Sequence, residues 1–444
     1  MFEGIRDARV SAFDRIERSI YVENYGCTAN KFDLEIMLTH LINAGYRIVD
    51  EAELADILLI NTCGVKKPTE DRMLERLRLF SRLNKPLIIA GCLPKINLSA
   101  IRRAAPQFSV AMDPYSIDKI LFAVSDAENG EKNKLLFSDK PIIKLEQPKM
   151  RFNEVVEIVQ IAEGCAGSCS FCCVRFARGG LFSYPEERIV ERIIEAVSKG
   201  AKEIWITSQD NGAYGLDIKK NLASLLERCC EIKGEFMIRV GMMNPAHVTR
   251  MLHPLMRVYK NHKIFKFLHL PLQSGDNEVL RLMNRFYSVE DFIRIVSSFR
   301  KEVPNLTLAT DIICGFPGEN KEAFERTINL LEEVQPDIVN ISKFFPRPGT
   351  PAEKMRQLTF EEVKDRSRRL MGMAKRISLE RNAKWINWKG EVLIDEKGKG
   401  ASWVGRNFAY KPIIIKSGEN LLGKLVNVRV VNVYPTYLEA KILK

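Results

Sequence analysis

Three cysteines within eight residues are the feature that most constrains this chain. Cys165, Cys169 and Cys172 stand in a C-x3-C-x2-C spacing, directly after an apolar stretch that predicts a β-strand. Gly164 and Gly167 lie in the same loop and let it wrap tightly. Thiolate sulfur is the ligand that iron–sulfur clusters take, and three thiolates leave the fourth iron of a [4Fe–4S] cluster open. We therefore predict a cluster on these three cysteines.

Zinc binding and core packing are the alternative roles for these three cysteines. A structural zinc site usually takes four ligands, and the adjacent Cys173 rarely reaches the same ion as its neighbour. Cysteine is also a common small core residue, but this use does not account for three of them on one glycine-containing loop. Cys229, Cys230 and Cys314 have no partner at ligand spacing, and we expect packing roles for them.

Length and charge set the class of protein. The chain has 444 residues, enough for two or three domains, and a net charge of +12, which favours an anionic partner such as nucleic acid. No stretch is apolar for long enough to span a membrane, and Met1–Arg18 does not have the pattern of a signal peptide. We expect a cytoplasmic protein without a membrane partner, whose ten cysteines are ligands or core residues rather than disulfides.

Hydrophobic periodicity divides the chain into four segments and predicts a mixed α/β architecture. Alternating strands and helices predict a parallel sheet in residues 18–125, and the polar segment 126–152 is typical of a linker. Six strand–helix units in 153–381 predict a partial (β/α)6 barrel. Short strands in 382–444 predict a small β-barrel, in which 11 Lys and Arg residues stand against 5 Asp and Glu residues.

Two local predictions concern element ends. The amphipathic pattern predicts a helix over Asn30–Asn43 with Asn30 as a candidate N-cap. The apolar run Trp403–Ile415 predicts a single strand of the C-terminal barrel.

A second set of three cysteines is dispersed through the first segment. Cys27, Cys63 and Cys92 each follow a predicted strand by a few residues or fewer, and each has a glycine beside it. The loops at the carboxyl ends of neighbouring parallel strands converge on one crevice. We expect the three thiols to meet there as a second three-thiolate site with an open iron; the alternative is three unrelated small residues near strand ends.

The barrel cysteines carry a first resemblance. Their spacing, with Phe171 directly before the last cysteine, resembles that of the radical S-adenosylmethionine (SAM) superfamily. The resemblance implies that the open iron chelates SAM and that one electron from the cluster cleaves SAM to a 5′-deoxyadenosyl radical.

Candidate SAM contacts follow from where a barrel places its chemistry, at the carboxyl ends of its strands. Polar or turn-forming residues occur at these positions, and Arg239 among them offers a partner for a carboxylate. The candidates are Gln209, Asp210, Arg239, Gln273, Ser274, Asp311, Gly315 and Glu319. No catalytic residue is assigned beyond the cluster ligands.

A second resemblance covers nearly the whole chain. Four motifs are similar to those of the methylthiotransferases: Tyr25–Asn30, Asn61–Val65, Ala90–Pro94 and Pro346–Pro351. The family implies a flavodoxin-like N-terminal domain with an auxiliary [4Fe–4S] cluster on Cys27, Cys63 and Cys92. It also implies a radical SAM barrel with a second cluster, and a C-terminal TRAM domain that binds RNA.

The same resemblance suggests a substrate. Three stretches are similar to the threonylcarbamoyladenosine branch in its archaeal and eukaryotic form: Phe176–Gly179, Glu203–Gly215 and Arg239–Pro245. That branch implies methylthiolation at C2 of N6-threonylcarbamoyladenosine (t6A) at position 37 of tRNA, which gives ms2t6A, with one SAM as methyl donor and another as radical source. A basic C-terminal barrel agrees with a phosphate-rich substrate. Its candidate RNA contacts are Arg406, Tyr410, Lys411, Lys424 and Arg429.

Different functions are compatible with the same residues. Within the family, the substrate could instead be isopentenyladenosine-37 of tRNA or a ribosomal protein, and an acidic C-terminal module would favour the latter. A non-enzymatic alternative is an RNA-binding iron–sulfur sensor. We expect a monomer acting on the anticodon loop, and the sequence does not indicate the sulfur donor or the electron donor.

Overall fold

The chain divides into two compact units. The computed structural model describes residues 18–443. The first unit consists of the segment up to Phe152, Ala162–Tyr184 and Arg347–Glu353, and the second of Asn153–Ile161, Pro185–Pro346 and the segment from Lys354 onward. Both cysteine triplets therefore belong to the first unit, although the chain segments that carry them are far apart in sequence.

A six-stranded parallel sheet with the order β2-β1-β3-β4-β5-β6 forms the core of the first unit. Its strands are β1 (Ser19–Asn24), β2 (Arg47–Val49), β3 (Ile57–Thr62), β4 (Leu87–Gly91), β5 (Val110–Met112) and β6 (Lys134–Leu136). β3 and β4 are buried along their whole length, which is typical of central strands covered on both faces. The order extends to both sides of β1, as in flavodoxin-like sheets, and confirms the predicted fold of this domain.

Helices connect these strands, and a short hairpin and helix follow later in the chain. The connecting helices are α1 (Thr28–Asn43), α2 (Lys67–Arg82), α3 (Leu93–Ile96), α4 (Leu98–Ala104) and α5 (Ile120–Glu128), with 3-10 turns at Pro114–Lys119 and Lys144–Glu146. The later elements of the first unit are β8 (Ala162–Glu163), which pairs antiparallel with β9 (Phe182–Ser183), and α6 (Val174–Arg178).

Helix α1 begins before the residue that the sequence predicts as its cap. Cys27 occupies the N-cap position with an extended backbone, and Asn30 lies inside the first turn. The prediction of Asn30 as N-cap is wrong because carbonyl groups outside the helix hold its side chain. Its Nδ2 donates to the carbonyl oxygen of Thr62 at 2.8 Å and to that of Tyr25 at 3.2 Å.

The segment 126–152, expected to be a linker, is part of the first unit. Its first residues complete α5, and β6 adds the edge strand of the sheet by pairing with β5. Lys144 and Lys149 are both buried in ion pairs with acids of α1, at 2.6 Å from Asp33 Oδ1 and 2.6 Å from Glu35 Oε2. Polar composition suggested a solvated loop, but the charges are neutralised by partners more than a hundred residues away.

Six parallel strands form the partial barrel of the second unit and confirm the predicted (β/α)6 pattern. They are β7 (Val156–Gln160), β10 (Glu203–Thr207), β11 (Met237–Val240), β12 (Phe267–His269), β13 (Thr307–Cys314) and β14 (Ile338–Lys343). Two three-stranded sheets, β11-β10-β7 and β12-β13-β14, are linked by an isolated bridge between Ile238 and Ile264.

Helices follow the barrel strands. They are α7 (Glu186–Ser198), α8 (Leu222–Glu231), α9 (Pro245–Arg250), α10 (Leu252–Tyr259), α11 (Asn277–Leu282), α12 (Val289–Glu302), α13 (Lys321–Val334) and α14 (Phe360–Ala383), with 3-10 turns at Asn211–Ala213 and Pro351–Lys354. Across residues 18–443, none of the helices has both the length and the apolar character needed to cross a bilayer.

A closed five-stranded barrel completes the second unit, as predicted. Its strands are β15 (Lys389–Lys397), β16 (Ser402–Arg406), β17 (Pro412–Lys416), β18 (Leu425–Val433) and β19 (Leu438–Ile442). The single strand predicted for Trp403–Ile415 is wrong, because a turn divides it into β16 and β17. Asn407 makes this turn: its Oδ1 accepts from the backbone N–H groups of Ala409 and Lys411, both at 3.1 Å.

Candidate metal centres

The three dispersed cysteines come together at one edge of the N-terminal sheet. Cys27, Cys63 and Cys92 follow β1, β3 and β4, which are adjacent in the sheet. A Cβ atom on Gly26, at φ +125°, would lie 3.0 Å from the Cβ atom of Cys63, so only glycine allows this approach. The strand order thus brings the three cysteines to the same edge of the sheet.

Asn30 lies between two of these thiols. Its Oδ1 is 3.6 Å from the Sγ atom of Cys27 and 3.8 Å from that of Cys92. The side chain is fully buried, and the two carbonyl groups that hold its Nδ2 leave Oδ1 facing the sulfur atoms. Asn30 therefore positions the site, a role that the sequence pattern did not indicate.

A buried arginine reaches the same amide oxygen. Arg178 Nη2 donates to Asn30 Oδ1 at 3.0 Å and to Asp33 Oδ2 at 2.7 Å, while Nη1 donates to Glu163 Oε1 at 2.7 Å. Although burial opposes its charge, Asp33, Cys92 and Glu163 raise the pKa of Arg178 well above its ordinary value. A guanidinium thus stands beside the cysteine triplet, where it can offset negative charge on thiolate sulfur.

Lys144 closes this arrangement into a four-residue network. Its Nζ lies 2.6 Å from Asp33 Oδ1 and 2.6 Å from Glu163 Oε2, so each carboxylate contacts both cations. All four side chains are at most 1 % exposed. Burial alone would raise the pKa of Glu163, but Lys144 and Arg178 hold it well below its usual range. Two cations and two anions make the network neutral, which is the condition under which buried charges are tolerated.

The clustered cysteines occupy the loop between β8 and α6. A Cβ atom placed on Gly167 would lie 3.4 Å from Cys165 Sγ and 3.8 Å from Cys169 Sγ. Both sulfur atoms are therefore close to Gly167. A turn brings Cys172 back to the loop through a bond from its N–H to the carbonyl oxygen of Cys169 at 3.1 Å. Gly164 starts the loop at φ +73°, and a Cβ there would lie 1.9 Å from the carbonyl oxygen of Gly180.

Cys173 connects the two sets of cysteines. It is 1 % exposed, and its Sγ donates to the carbonyl oxygen of Gly64, the residue after Cys63, at 3.3 Å. It also packs in an apolar cluster with Cys92, Ile96 and Ala177. Cys173 therefore belongs to the packing between the two loops, as expected for a residue that is not a ligand.

The donor chemistry at both triplets fits iron–sulfur clusters. Each consists of thiols, the soft ligands of such clusters. In the positions that the structure gives residues 18–443, however, no three Cys, His, Asp or Glu side chains are arranged to hold a metal ion. Burial raises the pKa of Cys63 to about 11 and that of Cys92 to about 12, and it also raises the pKa of Cys172. Ligation would therefore release protons from these thiols.

Two of the candidate SAM contacts already have hydrogen-bond partners within the second unit. Asp210 is buried, and its Oδ1 accepts from the N–H groups of Gly212 and Asn244, both at 3.0 Å. Glu319 is buried, accepts from the N–H of Gly315 at 2.9 Å and pairs with Arg366 at 2.7 Å. The carboxylates of Asp210 and Glu319 therefore stabilise the strand-end loops, and Gly315 provides the N–H group that donates to Glu319.

A different group of strand-end residues has buried polar atoms without hydrogen-bond partners. Gln209 Oε1 and Ser274 Oγ, both predicted, belong to it, and so do Ser208 Oγ and Asn211 Oδ1, which the sequence did not single out. Gln273 lies next to Ser274 with φ +72°. In the part of the chain that the structure describes, these atoms have no hydrogen-bond partner, and a bound polar ligand such as SAM would satisfy them.

The two remaining SAM candidates lie on strands. Asp311 on β13 accepts from Asn340 Nδ2 at 2.8 Å and lies 3.1 Å from His269 Nε2. Arg239 is the third of the four residues of β11, and its guanidinium lies over the rings of three aromatic residues. These are Trp205, Phe267 and Tyr410, at 5.8, 5.5 and 5.9 Å. Since Tyr410 comes from the C-terminal barrel, Arg239 takes part in the contact between the two barrels.

Comparison with known proteins identifies the family. Residues 19–113 match the model of the uncharacterized protein family UPF0004, residues 159–331 the radical SAM superfamily, and residues 389–443 the TRAM domain. A probable threonylcarbamoyladenosine tRNA methylthiotransferase of Pyrococcus horikoshii is 44 % identical over 96 % of this chain and 99 % of its own length. This chain belongs to the threonylcarbamoyladenosine tRNA methylthiotransferase family.

Eukaryotic relatives and solved structures agree with this assignment. Threonylcarbamoyladenosine tRNA methylthiotransferases of Danio rerio and Homo sapiens are each 35 % identical, over 96 % and 93 % of this chain and 79 % and 72 % of their own lengths. The radical SAM methyltransferase TsrM from Kitasatospora setae superposes with a TM-score of 0.55 at 13 % identity, covering 76 % of this chain and 75 % of TsrM, which supports the fold. As a radical SAM methylthiotransferase, the chain is an enzyme that uses a [4Fe–4S] cluster and SAM.

The TRAM domain exposes only part of the predicted RNA surface. Lys424 and Arg429 are exposed. Lys411 is 3 % exposed, and its Nζ lies 2.9 Å from both Asp337 Oδ1 and Asn382 Oδ1. The Lys411 ammonium group is therefore neutralised inside the second unit and is not part of its exposed surface.

Arg406 and Tyr410 also face the barrel. The Tyr410 ring packs on Phe265 and Phe267, with centroid distances of 4.8 and 5.1 Å. Arg406 Nε lies 3.1 Å from Asp395 Oδ2, and its guanidinium covers the Tyr410 ring at 5.0 Å. In this structure Tyr410 joins the TRAM domain to the radical SAM barrel, and the cited partners of Arg406 lie within the TRAM domain.

Proposed function

We propose that this enzyme converts t6A at position 37 of tRNA into ms2t6A, with one [4Fe–4S] cluster on Cys165, Cys169 and Cys172 and an auxiliary one on Cys27, Cys63 and Cys92. The observation that carries the proposal is the position of both triplets in one compact unit, with their loops joined by the bond from Cys173 to Gly64. A reaction that combines radical formation with sulfur transfer needs two such groups close together.

Bound clusters and SAM supply the hydrogen-abstracting radical, the methyl group and the sulfur site that replacement of the C2–H bond by a C2–S bond requires. The chain's own residues hold and shield them. Cys63 and Cys92 are 7 % and 4 % exposed, which excludes water from two of the three auxiliary ligands. Asn30 and Arg178 fix the polar surroundings of these ligands before any substrate arrives.

SAM recognition is assigned to the polar strand-end atoms that have no partner among the described residues. Gln209 and Ser274 are the proposed side-chain contacts, together with Ser208 and Asn211, because SAM carries an amino group, a carboxylate and ribose hydroxyls that can satisfy them. Asp210, Glu319 and Gly315 keep the loops in shape. Gln273 and Asp311 remain proposed contacts at the strand ends and in the barrel.

Substrate binding is assigned in part to the TRAM domain. Lys424 and Arg429 are exposed cations and can neutralise tRNA phosphates without distortion of the barrel. The substrate base must be unstacked to reach a buried centre, which suits the single-stranded anticodon loop.

Mass spectrometry of tRNA nucleosides tests the proposed function. A strain that lacks the gene should lose ms2t6A and accumulate t6A. Wild type and the matched Cys229→Ala/Cys230→Ala variant should restore ms2t6A, whereas triple alanine variants at either triplet should not. An unchanged ms2t6A level in the deletion strain would contradict the proposal, and loss of a methylthio-isopentenyl nucleoside instead would indicate the other tRNA branch.

A further inference from the structure

Arg178 has a position that ion pairing alone does not require. A buried arginine needs carboxylate partners, and Asp33 and Glu163 provide them at 2.7 Å each. Its Nη2 nevertheless also donates to Asn30 Oδ1, the atom that lies within 3.8 Å of the Sγ atoms of both Cys27 and Cys92. The guanidinium is thus anchored on one side by acids and directed on the other side toward the auxiliary triplet.

Lys144 shows what a purely structural cation in this network looks like. It contacts the same two carboxylates at 2.6 Å and is equally buried, but none of its contacts among the described residues reaches Asn30. Both cations are needed for neutrality, and only Arg178 adds the contact toward the thiols.

We propose that Arg178 is a positioning residue for the auxiliary cluster, to which it presents a positive charge and hydrogen-bond donors beside Cys27 and Cys92, and that it thereby raises the reduction potential of that cluster. The inference rests on the proposed function, because it requires a cluster on this triplet. Positive charge and donors near cluster sulfur stabilise the reduced form, which carries one more negative charge.

The four-residue network also fixes the position of the Arg178 guanidinium. Asp33 lies on α1, whose N-cap is Cys27, while Glu163 and Arg178 flank the loop that carries the other triplet. The backbone carbonyl of Arg178 is held as well, by the hydroxyl of Tyr115 at 2.6 Å. These contacts hold the Arg178 guanidinium on the side of the network that faces the auxiliary triplet.

The test measures the auxiliary cluster by itself. The background is the full chain with Cys165→Ala, Cys169→Ala and Cys172→Ala, reconstituted without oxygen, so that any bound cluster is on the auxiliary triplet. Arg178→Gln, Arg178→Lys and the matched Lys144→Gln are added singly. Iron content, thermal unfolding and the midpoint potential from a redox titration followed by electron paramagnetic resonance are recorded.

Arg178→Gln should shift the midpoint potential to a more negative value or abolish iron binding. Arg178→Lys should shift the potential less. Lys144→Gln should destabilise the fold as much as Arg178→Gln does, but with a smaller shift in potential. Equal shifts for Arg178→Gln and Lys144→Gln, or an unchanged potential with full iron in Arg178→Gln, would overturn the inference alone. A background protein that binds no iron would overturn both the inference and the auxiliary cluster. If the glutamine variants do not fold, an unchanged potential in Arg178→Lys overturns the inference and a negative shift supports it.

Discussion

The thiol of Cys173 donates a hydrogen bond to the carbonyl oxygen of Gly64 across 3.3 Å. Cys173 directly follows Cys172 of one triplet, and Gly64 directly follows Cys63 of the other. The bond therefore connects the two loops in which these cysteines lie. Glu70 and Arg347 form a buried ion pair close to Cys173. The two loops are therefore fixed to each other by specific contacts inside one compact unit.

Replacement of Cys173 by alanine should leave both iron sites occupied. The residue packs and donates one hydrogen bond, so its loss should cost about 1–2 kcal/mol of stability. The matched variant Cys172→Ala removes a proposed ligand and should reduce the iron content of the barrel site. Iron analysis and thermal unfolding of the two variants check this, and equal iron loss in both would make Cys173 a ligand.

Substitution of Tyr410 by alanine should lower the stability of the second unit and should not remove a direct contact with RNA. Its ring packs on Phe265 and Phe267, and removal of such an aromatic side chain typically costs about 3–5 kcal/mol. Phe408, in the same turn, is 37 % exposed, and its replacement by alanine should cost less. Urea unfolding followed by tryptophan fluorescence reports on this unit, because all four tryptophans lie in it. A tRNA-binding defect of Tyr410→Ala without loss of stability would contradict the prediction.

Glu203 should make the stability of the second unit depend on pH. Burial, aided by the charge of Asp395, raises the pKa of Glu203 from 4.5 to about 7. The native state then binds more protons than the unfolded state between these values, so stability falls as the pH rises through this window. Glu203→Gln should remove most of this fall, on the order of 2 kcal/mol between pH 5 and pH 8. Parallel stability curves for wild type and variant would show that Glu203 does not titrate in this way.

Lys424 and Arg429 should contribute to tRNA affinity and not to folding. The double alanine variant should bind tRNA more weakly, with a log–log salt dependence reduced by roughly two, about one for each lost phosphate contact. Its unfolding midpoint should stay close to that of wild type because both side chains are exposed. Lys301→Ala, an exposed lysine on α12, is the matched control. An unchanged salt slope would remove these two residues from the RNA surface.

Much of the auxiliary site was predictable because local patterns determine it. β1, β3 and β4 are distinct apolar runs, and parallel strands bring their carboxyl ends to one edge, so the positions of Cys27, Cys63 and Cys92 follow from sequence. The four-residue network was not predictable, since Arg178 and Lys144 pair with Asp33 across more than a hundred residues. Sequence periodicity carries no signal for such a pairing.

Side-chain direction is what the sequence did not indicate for three of the candidate RNA contacts and for the helix cap. Lys411, Tyr410 and Arg406 stand in the basic TRAM domain, and composition alone predicts that they face solvent. Lys411 is hydrogen-bonded to Asp337, the Tyr410 ring packs on Phe265 and Phe267, and Arg406 pairs with Asp395. Asn30 is a preferred capping residue by type, but its Oδ1 accepts from Arg178, while its Nδ2 donates to the carbonyl groups of Tyr25 and Thr62.

Iron counting on anaerobically reconstituted protein tests the two-cluster account most directly. Wild type should bind about eight irons per chain, and the triple alanine variants at Cys27, Cys63 and Cys92 or at Cys165, Cys169 and Cys172 about four each. A wild-type value near four that does not change when Cys27, Cys63 and Cys92 are replaced would contradict the account.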